Sequence, residues 1–257
     1  MQNNTISTLF IGQNFIKLSS VDSTNNFLKQ CLANSEPLTE GTVIMADEQF
    51  AGRGQLNSKW LSETGKNLTF SLYLKPHFLP AMHQFYLNIA ISNGINRALR
   101  DAFGINATIK WPNDIYYENK KIGGVLIENI LSGHHIKHSI IGIGLNINQS
   151  IFQEELKTKA SSLQLILQQR VNILQVLNEI CKHIEVEYLK LRSNKLELLT
   201  TDYLAHLFKY KLPSLFRING EEKLGTIVGI NEQGNLMLNL DDKISVFGFK
   251  ELEFIID

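Results

Sequence analysis

The stretch that most constrains this chain is residues 42–60, TVIMADEQFAGRGQLNSKW. Its opening run, Thr42-Val43-Ile44-Met45-Ala46, is long enough for a buried strand and too short for a helix. Gln49 follows, and then Gly52, Arg53 and Gly54. Glycines two apart let the backbone turn sharply and approach a ligand closely, because neither carries a Cβ. The arginine between them offers a planar fork of donors suited to a carboxylate or a phosphate. By itself GRG also reads as a surface turn. It is not a dinucleotide fingerprint, since Asn57 stands where a third glycine is needed, and no Gly-Lys-Ser/Thr follows to make a P-loop.

Around this stretch the pattern is one of short strands and long helices. Phe15 to Leu18 reads as a strand, and Ser23 or Thr24 as the N-cap of a helix through Phe27, Leu28, Cys31 and Leu32 that stops at Asn34 to Pro37. Leu68, Phe70, Leu72 and Leu74 alternate with Thr69, Ser71 and Tyr73, which predicts a half-buried strand. A helix is predicted from Ala81 to Phe103, a strand at Ile109 to Trp111, and a hairpin of Ile115 to Tyr117 with Ile122 to Ile130, turned at Glu118 to Lys120. Ser139 to Asn148 has the near-continuous apolar character of a central strand. Helical spacing dominates from Ala160 to Tyr210, and after Pro213 come five short strands separated by turns, the pattern of a small barrel. A domain boundary is therefore predicted near 212, dividing residues 1–212 from 213–257.

The chain has 257 residues, 44% hydrophobic and 19% charged, enough to bury a sizeable core. Lys+Arg and Asp+Glu both number 25, so no basic excess points to general nucleic-acid binding. No apolar run is long enough for a membrane helix, and MQNNTISTLFIGQ lacks the features of a signal peptide. Cys31 and Cys181, the two cysteines, both fall in helical patterns and read as reduced, buried thiols of a cytoplasmic protein. His134, His135 and His138 cluster with no cysteine or carboxylate at ligand spacing, and read as a solvated hairpin tip rather than a metal site.

Four blocks occur in order: DSTN at 22–25, the GRG stretch, KWPNDIYYENKKIGGVLIE at 110–128 and GIGLNIN at 142–148. Together they resemble the biotin–protein ligase family, over roughly residues 15 to 257. The resemblance implies an α+β fold: a mixed, largely antiparallel sheet flanked by helices, with a small C-terminal SH3-like β-barrel. It implies an ATP-dependent ligase that activates biotin as biotinyl-5′-AMP and transfers it to a lysine of a biotin carboxyl carrier protein. Biotin and ATP are then substrates and Mg2+ the metal. A monomer or homodimer in the cytoplasm is expected, with no DNA and no membrane partner. Some members lead with a DNA-binding domain; this chain starts almost at the ligase core.

The same resemblance assigns roles. Lys121, in the K-x-x-G pattern that ends at Gly124, is the expected catalytic cation between the biotin carboxylate and the α-phosphate; without the resemblance it reads as a solvated hairpin lysine. Arg53 is the loop arginine over the acyl-phosphate. Ser23, Thr24, Asn25 and Gln49 face the ureido ring, whose donors and acceptors need polar partners, and Gly52, Gly54 and Gln55 complete the biotin side. Trp60 is placed near the adenine, with core packing as its alternative. Asn113 and Asn146 face the nucleotide, and Asp114 is the carboxylate nearest the metal. Gln55 and Asn57 depart from a GRGR pattern with a following glycine, leaving the charge of the loop to Arg53. A lipoate or octanoate ligase shares the fold and the adenylate strategy but carries a different arginine- and glycine-rich signature. A non-enzymatic biotin- or nucleotide-responsive regulator is the rival from another class.

Overall fold

The computed structural model describes residues 6–34, 38–55 and 58–256. Its larger sheet is built from β1 (Phe15–Val21), β2 (Val43–Gln49), β3 (Leu68–Leu74), β4 (Thr108–Lys110), β5 (Asp114–Tyr117), β6 (Lys120–Ser132) and β7 (His135–Leu145). The spatial order is β1-β2-β3-β7-β6-β5-β4. Only β1 and β2 run parallel; every other neighbouring pair is antiparallel. The sheet is thus mixed and largely antiparallel, as expected.

Helices cover both faces. Helix α1 (Thr24–Ala33) lies on one side, where Leu28 packs with Ile44, Tyr73 and Ile140. On the other side α2 (Phe85–Phe103) and α4 (Ile173–Arg192) cover Phe70, Leu72, Ile141 and Ile143, with α5 (Leu196–Ala205) packed on α2 and the short α3 (Leu163–Leu167) preceding α4. The double cover corrects one expectation: β3 is buried along its whole length rather than on one face. Alternating side chains still go to opposite faces, but Ser71 and Tyr73 meet α1 instead of water.

Local signals account for the helix ends. Gly104 closes α2 in the left-handed region at φ 68°, its N–H and that of Ile105 reaching back to Arg100 and Leu99 carbonyls. Asn172 caps α4, accepting from the N–H groups of Leu174 and Gln175. Ser23 occupies the N-cap position of α1, but its side chain makes no capping bond there. The helix stop read at Asn34 to Pro37 begins at the C-cap of α1, Asn34; residues 35–37 lie outside the described residues. Cys31 and Cys181 are both buried, and burial pushes the Cys181 thiol far up. The β6–β7 turn exposes His134 and His135, whereas His138 is half-buried and its Nδ1 lies 2.7 Å from the Tyr73 hydroxyl.

The second sheet contains β8 (Pro213–Ile218), β9 (Glu221–Ile230), β10 (Leu236–Leu240), β11 (Lys243–Phe247) and β12 (Leu252–Phe254), in the order β11-β10-β9-β8-β12, antiparallel throughout. β11 and β12 form its two edges, so the barrel expected here is not closed among the described residues. It docks against the end of the larger sheet through Trp111, whose indole N–H donates to the Gly234 carbonyl at 2.8 Å and whose ring meets Phe249. Phe208 and Phe254 pack beside that contact.

Candidate active site

On the α1 side of the larger sheet, one stretch of β6 and β7 carries glycines in place of side chains. Strand alternation puts Gly142 and Gly144 of β7 on this face, and Gly124 of β6 pairs directly with Gly144. The resulting floor is occupied by side chains from elsewhere. A Cβ on Gly142 would come within 2.7 Å of Asn25 Oδ1, and one on Gly144 within 2.5 Å of the Trp60 ring. The glycines of GIGLNIN are therefore space for Asn25 and Trp60, a role their spacing alone did not disclose.

Above this floor opens a cleft of about 620 Å³, within the range of small-molecule sites. Ser23, Thr24, Asn25, Gln49, Arg53, Gly54, Gln55, Trp60, Asn113, Asp114, Lys121 and Gly124 all line it. Gly52 sits just behind, under the Trp60 carbonyl, which accepts no side chain there. Asn146 does not line the cleft; it is buried and donates to the Ser161 carbonyl at 3.0 Å. Asn57 lies outside the described residues. The described ends of the GRG loop are held together: Gly54 N–H donates to Ser58 O, and Trp60 N–H to Gly52 O.

One end of the cleft is polar, and the charge of Arg53, which lines it, is paired with Glu128. The Thr24 N–H donates to Gln49 Oε1 at 2.8 Å, turning the Gln49 amide nitrogen away from Thr24. The Ser71 hydroxyl lies 2.5 Å from Asn25 Oδ1 and 2.7 Å from the Thr24 hydroxyl. The Asn25 amide nitrogen donates to Glu128 Oε2 at 2.8 Å. Arg53 Nη2 and Lys29 Nζ both reach Glu128 Oε1, each at 2.6 Å. Burial works to raise the Glu128 carboxyl, but hydrogen bonds from Lys29, Asn25 and Arg53, together with the Arg53 charge, outweigh it and hold the group below the usual carboxylate range. Glu128 closed the quoted 110–128 block, yet nothing in its spacing marked it as a partner of the loop arginine.

The other end carries the cations. Lys121 Nζ pairs with Asp114 Oδ1 at 2.6 Å and stands 6.0 Å from the centre of the Trp60 ring. Lys110 has no carboxylate within ion-pair distance among the described residues; its ammonium lies over Tyr116 and Phe254, 5.1 and 5.2 Å from their centres. Burial pushes the Lys110 ammonium below the usual lysine range; Asp114 and Glu253 pull it back, while Lys121 adds to the lowering. The indole N–H of Trp60 is buried without a partner among the described residues, a donor left for something in the cleft. The Trp111–Pro112 peptide is cis, and the Pro112 carbonyl accepts from Asn88 and Tyr203, which fixes the turn that presents Asn113 and Asp114. Phe249, Lys250 and Leu252 to Phe254 of the second sheet line the same end, a contribution that sequence reasoning missed because a strand pattern does not say where a small sheet docks.

No metal centre is formed by protein groups alone: among the described residues no three His, Cys, Asp or Glu side chains gather. Asp114 is the single carboxylate of the cleft's cationic end that the larger sheet supplies.

Comparison with known proteins gives a consistent result. Residues 18–146 match the model of the biotin/lipoate A/B protein ligase family. The chain is 29% identical over 262 residues to the bifunctional ligase/repressor BirA of Bacillus subtilis, covering 96% of this chain and 76% of that protein. It is 32% identical over 133 residues to the biotin–[acetyl-CoA-carboxylase] ligase of Paracoccus denitrificans, 51% of this chain and 53% of the other. The biotin protein ligase of Aquifex aeolicus, solved in complex with biotin and ATP, superposes with a TM-score of 0.81 at 28% identity over 95% of this chain and 100% of that one.

Proposed function

Because the chain belongs to the biotin/lipoate A/B protein ligase family, we propose that its cleft activates biotin with ATP and passes the biotinyl group to a lysine of a carrier protein. The observation that carries this reading is the division of one cleft into a polar end, where the Arg53 charge is paired with Glu128, and a cationic end, with the glycine floor between. An uncharged ring with donors and acceptors suits the first end, and phosphates suit the second. The acceptor is the biotin carboxyl carrier of a biotin-dependent carboxylase, the substrate class that the name of the Paracoccus relative indicates.

A free carboxylate does not acylate an amine, so it is first made a mixed anhydride. The biotin carboxylate oxygen attacks the α-phosphorus of ATP, and pyrophosphate leaves. The lysine amine of the carrier then attacks the acyl carbon, losing a proton as AMP departs. The first step brings two anions together, and positively charged groups fixed in advance lower its barrier. Lys121 is assigned that task, exchanging its bond to Asp114 for the two reacting groups. Arg53 follows the carboxylate from the loop, and Lys110 and Trp60 face the nucleotide. Asn113 steadies the same turn, its amide donating to the Val125 carbonyl. Asp114 fits Mg2+ as a single protein ligand, because Mg2+ is ordinarily held by one or two carboxylates plus substrate phosphates. That ion would offset phosphate charge. Residues 213–257 form a separate domain in this reading, and they close the nucleotide end.

The test is exchange of labelled pyrophosphate into ATP, measured with biotin and with lipoate, followed by labelling of an apo carrier domain. Biotin-dependent exchange and carrier labelling are expected; exchange with lipoate in place of biotin would contradict the substrate assignment.

A further inference from the structure

Glu128 does not line the cleft, yet two groups that do, Arg53 and Asn25, converge on it together with Lys29. Its carboxylate accepts from Arg53 and Lys29 through Oε1 and from Asn25 through Oε2. A carboxylate only accepts, so the Asn25 amide must turn its nitrogen to Glu128 and its oxygen to Ser71. Ser71 has one proton, which it gives to Asn25 Oδ1 at 2.5 Å. The Thr24 hydroxyl, 2.7 Å from Ser71 and 3.1 Å from Gln49 Oε1, spends its one proton on one of these two acceptors and in either case keeps only lone pairs for the cleft. The Glu128 carboxylate thus fixes the direction of the Asn25 and Ser71 bonds and leaves the Thr24 proton to be used within the wall.

The geometry points to Glu128 as a positioning residue that sets the donor and acceptor pattern of the ring-binding wall and holds the loop arginine against it. The inference rests on the reading of the cleft as a biotin site. With Lys29 also on Oε1, Glu128 keeps a cationic partner when Arg53 turns toward substrate. Burial alone does not explain the arrangement: a glutamine would fill the same volume, but its amide both donates and accepts and leaves Asn25 free to flip.

The experiment uses biotin-dependent pyrophosphate exchange by Glu128→Gln and Ser71→Ala in the full chain, with tryptic cleavage after Arg53 as a second readout. Losing one well-directed hydrogen bond is worth about 1.4 kcal/mol, or roughly tenfold. Glu128→Gln is expected to raise the KM for biotin at least about tenfold, to change kcat only a few-fold, and to speed cleavage at Arg53 in the free protein. Ser71→Ala is expected to raise the KM similarly while leaving cleavage at Arg53 as in wild type. A folded Glu128→Gln protein with wild-type KM overturns the inference, as does a loss in kcat matching the loss in kcat/KM. Should Glu128→Gln fail to fold, a wild-type KM in Ser71→Ala overturns it. If the wild-type chain itself shows no biotin-dependent exchange, it is the function reading that fails.

Discussion

Lys121 and Lys120 are neighbours with opposite surroundings. Lys120 is exposed, pairing across the hairpin with Tyr117, while Lys121 is half-buried against Asp114 in the cleft. Charge on the α-phosphate grows toward the transition state, so a cation there helps that state more than bound biotin. Lys121→Ala is expected to slow adenylation by about 100- to 1,000-fold, the scale of losing one oxyanion-type donor, with far less loss of biotin affinity. Lys120→Ala should leave both nearly unchanged. Equal defects at the two positions, measured by pyrophosphate exchange and biotin titration, would remove Lys121 from its role. Glu128 carries a pH signature of its own. Its folded-state carboxyl is lowered, so its contribution to stability is complete above the ordinary carboxylate range and fades as pH falls through the lowered value. Acid unfolding curves of wild type and Glu128→Gln should therefore converge toward low pH and separate toward neutrality. Parallel curves would contradict that sign.

At the scale of elements, the strands were legible because alternation and apolar runs are local properties. Leu68–Leu74 is a strand over the stretch where alternation put one, and β7 is the central strand its composition predicts. The extent of burial on β3 was not legible, because α1 covers its second face and that packing joins residues far apart in the chain. The site was readable in parts for the same reason. Motif resemblance picked out Thr24, Asn25, Gln49, Arg53 and Lys121, which the fold brings to one cleft, and also Asn146, which is buried outside its lining against Ser161. Glu128 went unassigned because its partners are set by the crossing of α1, the loop and β6. The bare floor yields a test at this scale. Gly144→Ala adds a Cβ that meets the Trp60 ring at 2.5 Å, so the indole must move. Trp60 fluorescence should change, and the KM for ATP should rise more than that for biotin. Unchanged kinetics for both substrates would show that the Trp60 position is immaterial.

For the whole molecule, the arrangement places two sheets around one cleft. The larger supplies the floor with Lys110 and Lys121, and the smaller brings Phe249, Lys250 and Leu252 to Phe254 to the cationic end. Phe249 packs on Trp111, and both line the cleft. Phe249→Ala should therefore weaken ATP more than biotin, and an equal effect on the two would argue against the division of the cleft. Among the described residues no helix is long and apolar enough to cross a membrane. In the proposed reading this cleft joins biotin to AMP. The direct measurement is to incubate the full chain with biotin and ATP without a carrier, separate protein from free ligand, and weigh what remains bound. Biotinyl-AMP, formed with pyrophosphate release, is the predicted species. Recovery of only unreacted biotin and ATP, with no adenylate bound or released, would contradict it.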